Sequence, residues 1–187
     1  MQYAMLNIIH DDNKFKRYSV LMEELQTQDI TKYKIWDAVH SDTIIKSINL
    51  AHKQIVRWAK ENELPFVTIA EDDIKFCDRG AYDYFVANVP DDYDLFLGGI
   101  FLGVIDEYNE VKEFTGLTLY RIANHFFDTF LSLPEDEHID QALANKGKYV
   151  VCNPFTVTQH NGVSSQSNQY CNYDTFFTER KLFKQQI

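Results

Sequence analysis

The sequence is poor in the features that define several classes of protein. Its three cysteines, Cys77, Cys152 and Cys171, are widely spaced and form no CxxC pair, which argues against a zinc knuckle and favours reduced thiols. No run approaches the roughly 20 apolar residues of a membrane span. Residues 1–12 lack the basic region and long apolar core of a signal peptide. We therefore expect a cytoplasmic protein that makes at most peripheral contact with the inner face of a membrane.

Basic residues are also scarce. The chain has 18 Lys and Arg against 28 Asp and Glu, a formal net charge of −10. Because nucleic-acid binders carry a basic footprint, this balance argues against a nucleic-acid partner. An acidic protein repels phosphates, so a phosphate-bearing ligand would need a cation beside it. With 187 residues, 45% of them hydrophobic, the chain is long and apolar enough for one globular domain.

Apolar runs and amphipathic segments alternate in the first half of the chain. We predict strands at 3–9, 33–39, 66–70 and 94–99, and helices at 15–25, 44–62 and 78–89. In the second half we predict a hairpin within 100–122 that turns at 106–110, helices at 123–133 and 135–145, and a final strand at 149–158. Alternation of strand and helix is typical of a parallel sheet with helices on both faces.

The predicted architecture is a single α/β domain over residues 1–170, with a central, mostly parallel sheet flanked by helices. Residues 171–187 follow as a C-terminal tail, in which aromatic and basic residues mix between Phe176 and Lys184. Such a segment forms a docked or frayed terminal helix, or rests on a membrane surface.

Three acidic residues, Glu71, Asp72 and Asp73, directly follow the predicted strand 66–70. Ligand sites in open α/β sheets lie just outside the carboxyl ends of the strands. Adjacent carboxylates repel one another unless a positive charge joins them. Mg²⁺ and Mn²⁺ prefer carboxylate oxygens and leave positions for substrate phosphates, so the triplet predicts a divalent metal site. The alternative is an acidic loop before the next helix.

This region resembles glycosyltransferase family 25. Members of that family show Leu-Ser-His, a helix, a hydrophobic strand and Glu-Asp-Asp; here the matching residues run from Asn49 to His52 and from Phe66 to Ile74, with Ala51 in place of the serine. The family is associated with lipopolysaccharide and lipooligosaccharide assembly in bacteria and with collagen galactosylation in animals. Further stretches agree in the same order over residues 3–166: Leu6–Ile8 with Lys16 and Arg17, Tyr93–Gly98, Thr118–Ala123, His138–Asp140 and Pro154–Ser165.

The resemblance implies a GT-A fold and an enzyme that transfers a hexose, galactose-like, from a nucleoside diphosphate sugar to a saccharide acceptor with inversion. It further implies UDP-sugar as the donor and Mn²⁺ or Mg²⁺ as the cofactor. Glu71 and Asp73 would hold the metal, and Asp72 would contact the ribose or the donor sugar. The metal would neutralise the diphosphate leaving group as the glycosidic bond breaks.

Two later positions are candidates for the remaining chemistry. His160 follows the last predicted strand and could be a third metal ligand, or a surface histidine in a turn; its neighbour Gln159 is the family-like residue and competes for the role as a donor contact. Asp140 is the candidate general base that takes the proton of the acceptor hydroxyl. Its alternative role is a capping or solvated acid early in a helix.

The first half of the chain adds supporting candidates. Asn7, at the end of the first strand, and Arg17 could reach the uridine or the phosphates, although Arg17 could also be the exposed face of its helix. His52 either supports the site or is a core histidine. The pair Gly98-Gly99 would let backbone approach a ligand, or would form a simple turn.

Two other functions are consistent with the same acidic crevice. One is a non-catalytic, glycosyltransferase-like module that binds a nucleotide-sugar. The other is a metal-dependent phosphohydrolase or nucleotidyltransferase, against which the absence of a P-loop motif and of a basic cluster beside the acids argues.

Overall fold

The computed structural model of the chain describes residues 5–11, 15–164 and 169–185. Its strands are β1 (Leu6–His10), β2 (Tyr33–Asp37), β3 (Phe66–Glu71), β4 (Ile74–Phe76), β5 (Leu95–Leu97), β6 (Leu102–Gly103), β7 (Glu110–Val111), β8 (Phe114–Thr115), β9 (Leu119–Ala123), β10 (Tyr149–Val151), β11 (Val157–Gln159), β12 (Gly162–Val163) and β13 (Tyr170–Cys171). Its helices are α1 (Phe15–Thr27), α2 (Ile44–Glu61), α3 (Ala81–Ala87), α4 (Phe127–Leu131) and α5 (Ile139–Ala142). The predicted start of the first strand at residues 3 and 4, and Ser165 of the family resemblance, lie outside the described residues.

A seven-stranded sheet in the order β2-β1-β3-β9-β5-β10-β7 forms the centre of the domain. Strand β1 is parallel to both β2 and β3, and β10 is parallel to β5. Strand β9 lies antiparallel between β3 and β5, and β7 is antiparallel to β10 at the edge. The structure thus confirms the predicted mixed α/β domain with a mostly parallel central sheet.

Successive residues of the inner strands supply two separate cores, because neighbouring side chains in a strand point to opposite faces of the sheet. Tyr120 and Ile122 of β9 pack with Ile55 of α2 on one face. Leu119, also in β9, packs with Leu21 of α1 on the other. The sheet is therefore covered on both sides, as the near-continuous apolar runs predict.

Helix α2 confirms the longest predicted helix. Thr43 caps its start, with the side-chain oxygen accepting a hydrogen bond from the backbone N–H of Lys46 at 3.2 Å. The helix ends at the C-cap residue Asn62, shortly before Pro65, where a proline disfavours continuation. Its buried residues include three polar ones, Asn49, His52 and Lys53, and the His52 ring reaches Tyr120 of β9 in the central sheet.

The second half of the chain departs from several predicted elements. The single predicted strand 149–158 is two strands, β10 and β11, because Pro154 has no N–H to continue the ladder and the chain leaves the main sheet to pair with β4. The predicted helix 123–133 is shortened because Ala123 belongs to β9; a 3₁₀ turn (Asn124–Phe126) and α4 replace it. The predicted helix 135–145 is reduced to α5.

The predicted hairpin within 100–122 is present, with β6 paired to β8. Its turn is held by Asp106, whose Oδ1 accepts the backbone N–H groups of Tyr108 and Glu110. Strand β7, between the two hairpin strands in sequence, joins the edge of the main sheet instead.

The C-terminal residues pack onto the domain. Strand β13 pairs with β12, and Tyr173–Phe177 forms a 3₁₀ helix whose last residue, Phe177, is buried against the core. Further along, Leu182 forms a parallel backbone bridge with Phe155. Among the described residues, no helix has both the length and the apolar character that crossing a membrane requires.

Candidate functional site

A cleft of about 500 Å³ opens beyond the carboxyl ends of β1 and β3. The parallel register of these strands pairs Ile9 with Glu71, so the chain segments that follow each strand emerge side by side. Asp11 comes from one segment, and Asp72 and Asp73 come from the other, and all three line the cleft. The fold thus puts the acidic triplet where open α/β sheets bind their ligands.

Within the triplet of Glu71, Asp72 and Asp73, the carboxylate of Asp72 has the most contacts with other residues of the chain. Its Oδ2 contacts His10 Nδ1 at 2.8 Å and accepts the backbone N–H of Asp11 at 3.2 Å. Its Oδ1 accepts a hydrogen bond from Arg17 Nη1 at 2.9 Å, and its side chain is only 6% exposed. Asp72 therefore ties β1 and α1 to the end of β3. Both of its oxygens have partners within the chain, at the position where the family resemblance implies a ribose or sugar contact.

In Asp73, only one of the two carboxylate oxygens makes contacts with polar groups of the described residues. Its Oδ2 accepts a hydrogen bond from Gln159 Nε2 at 2.7 Å and lies 3.0 Å from Arg17 Nη1. Its Oδ1 is buried and has no hydrogen-bond partner among residues 5–11, 15–164 and 169–185. Burial, together with the charge of Glu71, raises the pKa of Asp73 to about 7 despite the attraction of Arg17. A buried carboxylate oxygen in this condition is costly unless a cation or a donor reaches it.

Arg17 supplies the positive charge that joins two of the carboxylates. Its guanidinium bridges Asp72 and Asp73, and its Nη2 donates to the backbone carbonyl of Val163 at 3.2 Å. Burial opposes this charge, but the neighbouring Asp73 and Asp72 carboxylates outweigh it and raise the Arg17 pKa. The structure brings Arg17 directly to the acidic triplet rather than to the exposed face of α1.

Glu71 is the most accessible of the acids, with 30% of its side chain exposed. Its Oε1 lies 3.4 Å from His52 Nε2, and the other ring nitrogen of that histidine lies 2.9 Å from the Tyr120 hydroxyl. His52 is buried, so it links a core tyrosine to the cleft and combines the two roles considered from the sequence. Burial and the charge of Glu71 raise the pKa of Tyr120 well above its ordinary value, so its hydroxyl stays protonated.

The structure separates Gln159 from His160, because neighbouring side chains of an extended segment point in opposite directions. Gln159 reaches Asp73, whereas His160 Nε2 contacts Glu24 Oε1 at 2.8 Å in a different pocket. Only the backbone of His160 approaches the triplet, by donating its N–H to the Asp73 carbonyl at 2.9 Å. The ring of the candidate third metal ligand therefore does not join the carboxylates in this structure.

Asn7 also lies apart from the cleft. It is buried in β1, where its Nδ2 donates to the Thr68 carbonyl at 3.2 Å and its Oδ1 accepts from Trp36 Nε1 at 3.0 Å. These bonds tie three neighbouring strands together. The side chain proposed to reach the uridine is thus committed to the sheet.

Within residues 5–11, 15–164 and 169–185, no three His, Cys, Asp or Glu side chains form a group that could hold a metal ion. The oxygens of Asp72 are occupied by chain partners, as described above. Within the acidic triplet, a divalent cation could use the Oδ1 of Asp73, which has no partner among the described residues, and the accessible carboxylate of Glu71. A cation there would have to share Asp73 with Arg17, or displace it.

Asp140 lines the same cleft, in the first turn of α5. Its Oδ2 accepts the backbone N–H of Gly116 at 2.9 Å, and its Oδ1 accepts that of Gln141 at 2.9 Å. Gly116 has φ +100, and a side chain there would press on the ring of Phe101 at 3.1 Å. The glycine therefore lets the Phe101 ring lie against the same backbone that bonds the candidate base.

Four further residues of this region did not stand out as site residues in the sequence. His10 holds Asp72, and Phe101, Tyr173 and Phe176 line the end of the cleft beside Asp140. Burial and the Asp73 charge raise the pKa of Tyr173 to about 12, so its phenol stays protonated. The mix of aromatic and basic residues in the tail was a sequence signal for Phe176, but the sequence analysis singled out none for His10, Phe101 or Tyr173.

The pair Gly98-Gly99, which follows β5, leaves room for the backbone of the chain at the start of β11. A side chain at Gly99 would stand 2.5 Å from the carbonyl oxygen of Val157, and one at Gly98 would contact the Leu119 and Val157 side chains at 3.0 Å. The β11 segment crosses here, and the backbone N–H of Thr156 donates to the Gly98 carbonyl. The close approach is therefore structural: it carries β11 to β4 and so brings Gln159 to Asp73.

The raised pKa of Asp73 predicts a pH-dependent stability. The folded state holds this proton up to about pH 7, whereas the ordinary pKa is 3.8, so the folded state binds more protons between these values. Rising pH should then lower the unfolding free energy in EDTA by up to about 1.4 kcal/mol per pH unit. Asp73→Asn should remove most of this slope, as measured by urea unfolding between about pH 5 and 8.

The matched control for that experiment is Asp91→Asn, which changes an exposed acid and should keep the native slope. An identical pH dependence in native protein and Asp73→Asn would show that Asp73 is ionised throughout, with Arg17 dominating its environment.

The sequence matches no protein-family model and no curated protein sequence. Solved structures do match its fold. A197 from STIV is 13% identical with a TM-score of 0.57, over 84% of this chain and 86% of that one. The mannosyltransferase PcManGT from Pyrobaculum calidifontis, in complex with GDP-Man and Mn²⁺, is 8% identical with a TM-score of 0.55, over 88% of this chain and 58% of that one.

A mutant of Drosophila β1,4-galactosyltransferase 7, in complex with manganese, UDP-Gal and xylobiose, is 10% identical with a TM-score of 0.52, over 97% of this chain and 81% of that one. The chain therefore has the mixed α/β fold of GT-A-like glycosyltransferases. At these identities the likeness is one of fold, and the narrower resemblance to glycosyltransferase family 25 stays a prediction.

Proposed function

We propose that this chain is a glycosyltransferase that takes its sugar from a nucleoside diphosphate donor. The observation that carries the proposal is the buried Oδ1 of Asp73, which finds no partner in the described part of the chain and lies in a cleft that also contains Asp140. An acidic protein with such an oxygen at its ligand edge is suited to a diphosphate that arrives with a divalent cation. Two of the fold neighbours were solved with a nucleotide-sugar and manganese, which supports the same class of donor.

In this proposal Asp73 and Glu71 hold Mn²⁺ or Mg²⁺. When bound, the cation would neutralise the charge that develops on the diphosphate leaving group. Arg17 pairs with Asp73 and would turn from it to a phosphate oxygen, since guanidinium groups pair with phosphates as well as with carboxylates. Gln159 would then orient Asp73, and Asp72 would orient Arg17. In these roles neither side chain contacts the nucleotide-sugar directly.

Asp140 is the proposed general base. It would accept the proton of the acceptor hydroxyl while that oxygen attacks the anomeric carbon, and a single displacement of this kind inverts the anomeric configuration. The backbone N–H groups of Gly116 and Gln141 fix the orientation of its carboxylate. Following the resemblance to family 25, we propose a galactose-like hexose and UDP as the first donor to test.

Metal-dependent donor binding tests the proposal. UDP-galactose should bind at least about tenfold more tightly with Mn²⁺ than with EDTA, a difference of about 1.4 kcal/mol. The physical reason is that the acidic cleft repels a bare diphosphate. Titration calorimetry with UDP-galactose, GDP-mannose and UDP alone would measure these affinities. Their comparison would identify the nucleobase that the donor site prefers.

The same samples separate the alternatives. Transfer of labelled sugar to a panel of saccharides would establish the enzyme, whereas tight donor binding without transfer would indicate a nucleotide-sugar binding module. Release of inorganic phosphate from nucleotides would indicate a phosphohydrolase. Equal affinity with Mn²⁺ and EDTA would remove the metal from the proposed mechanism.

A further inference from the structure

One end of the cleft is built from three aromatic rings, Phe101, Tyr173 and Phe176, which we call the aromatic wall. The Phe101 ring centroid lies 5.3 Å from that of Tyr173 and 5.6 Å from that of Phe176, and the last two are 6.4 Å apart. All three rings line the cleft that contains the acidic triplet. The wall combines the 3₁₀ helix of the C-terminal segment with the residue that precedes β6.

The wall is held from behind, so its rings are preorganised. Phe101 packs on the backbone of Gly116 and meets the buried Phe177 edge-on at 5.8 Å. Phe176 is 39% exposed, so it presents apolar surface to the cleft. An aromatic ring that is kept at a cleft, and that the core does not enclose, is typical of a residue that contacts a ligand.

Polar groups stand at the edge of this apolar surface. The Gly116 N–H that adjoins the Phe101 ring also donates to Asp140, so the candidate base borders the wall. Burial and the Asp73 charge raise the pKa of the Tyr173 phenol, so this ring brings a protonated hydroxyl to the wall. The combination of a flat apolar surface with acceptor and donor groups at its rim matches a pyranose ring, which has an apolar C–H face and hydroxyls around its edge.

We propose that the aromatic wall is the acceptor subsite and that it binds a pyranoside, whose C–H face stacks on Phe101 and Phe176 while one hydroxyl meets Asp140. The name acceptor rests on the proposed function. The donor diphosphate belongs beside Glu71 and Asp73. Residues of β1, residues after β2 and the start of α2 also line the cleft, and we assign them to the nucleoside.

Phe176→Ala tests the subsite with the least disturbance, because that side chain is partly exposed. Saturation-transfer NMR with methyl β-D-galactopyranoside and methyl α-D-mannopyranoside would report saccharide binding, and calorimetry with UDP-galactose and Mn²⁺ would report the donor site. We expect about tenfold weaker binding of the preferred pyranoside and donor affinity within about twofold of native. Phe101→Leu should show the same pattern, and Phe176→Tyr should restore stacking and binding.

Tyr108→Ala is the matched control, since it removes an aromatic ring that is 72% exposed in the hairpin turn. It should leave both measurements unchanged. Native protein that binds neither pyranoside, or undiminished binding in both Phe176→Ala and Phe101→Leu, would overturn the subsite. Failure of the proposed function would look different. A chain that binds pyranosides at the aromatic wall but binds no nucleotide-sugar would have a saccharide site and would not be a glycosyltransferase.

Discussion

Asp140→Asn should lower the kcat of sugar transfer by at least about 10²-fold and leave the donor KM nearly unchanged. Asparagine keeps one oxygen that can accept the Gly116 N–H, and it gives up only the acceptor of the exposed Gln141 N–H, so the contact between α5 and Gly116 should survive. It cannot take the proton of the acceptor hydroxyl, an interaction that matters only as the bond forms. Initial rates with labelled UDP-galactose and the best acceptor would measure the effect.

Asp136→Asn is the control, because it makes the same chemical change at an exposed acid shortly before α5. Native rates are expected from it. Full transfer activity in Asp140→Asn would rule out Asp140 as the base, and parallel losses of donor affinity and transfer would instead make it a donor-site residue.

Arg17→Gln should destabilise the metal-free protein by about 3 kcal/mol, the lower end of the cost of breaking a buried ion pair. Glutamine leaves Asp72 and Asp73 without their shared counter-charge in a poorly solvated site. A divalent cation can take that role, so the variant should bind Mn²⁺ at least about tenfold more tightly than the native chain and recover stability on adding it. Urea unfolding with and without Mn²⁺, together with calorimetric metal titration, measures both effects.

Arg79→Gln provides the comparison, since Arg79 pairs with Asp29 at 3.1 Å between exposed side chains. Its loss should cost less than about 1 kcal/mol and leave metal affinity unchanged. If Arg17→Gln weakens Mn²⁺ binding, then Arg17 helps to assemble the metal site and does not compete with the cation.

Hydrophobic periodicity predicted most elements in the first half of the fold, but it missed β4 and made α3 too long. Strands β1, β2 and β3 and helix α2 are local patterns, with strong apolar stripes and a clear stop at Pro65. The second half depends on contacts between distant segments. Nothing local in Leu119–Ala123 signals that it must insert between β3 and β5, and the short helices α4 and α5 are set by packing rather than by propensity.

The sequence predicts where the acidic triplet lies in the fold, but it does not predict which side chains contact each acid. An acidic triplet after an apolar strand predicts the ligand edge of the sheet, and the structure puts the triplet there. The partner of each acid depends on side-chain direction: Gln159 rather than His160 reaches Asp73, and Arg17 rather than Asn7 reaches the cleft. Spacing in sequence carries little information about such pairs when 86 residues separate Gln159 from Asp73.

Because β9 pairs with β3 but comes much later in the chain, one edge of β3 stays unpaired for part of protein synthesis. Strand β3 ends at Glu71, but the strand that covers its second edge begins only at Leu119. Until that segment leaves the ribosome, a long apolar edge has no partner within the chain, and exposed edges of this kind favour association between chains. The N-terminal βαβ half, the most regular part of the molecule, is therefore also the part that depends on later residues for protection.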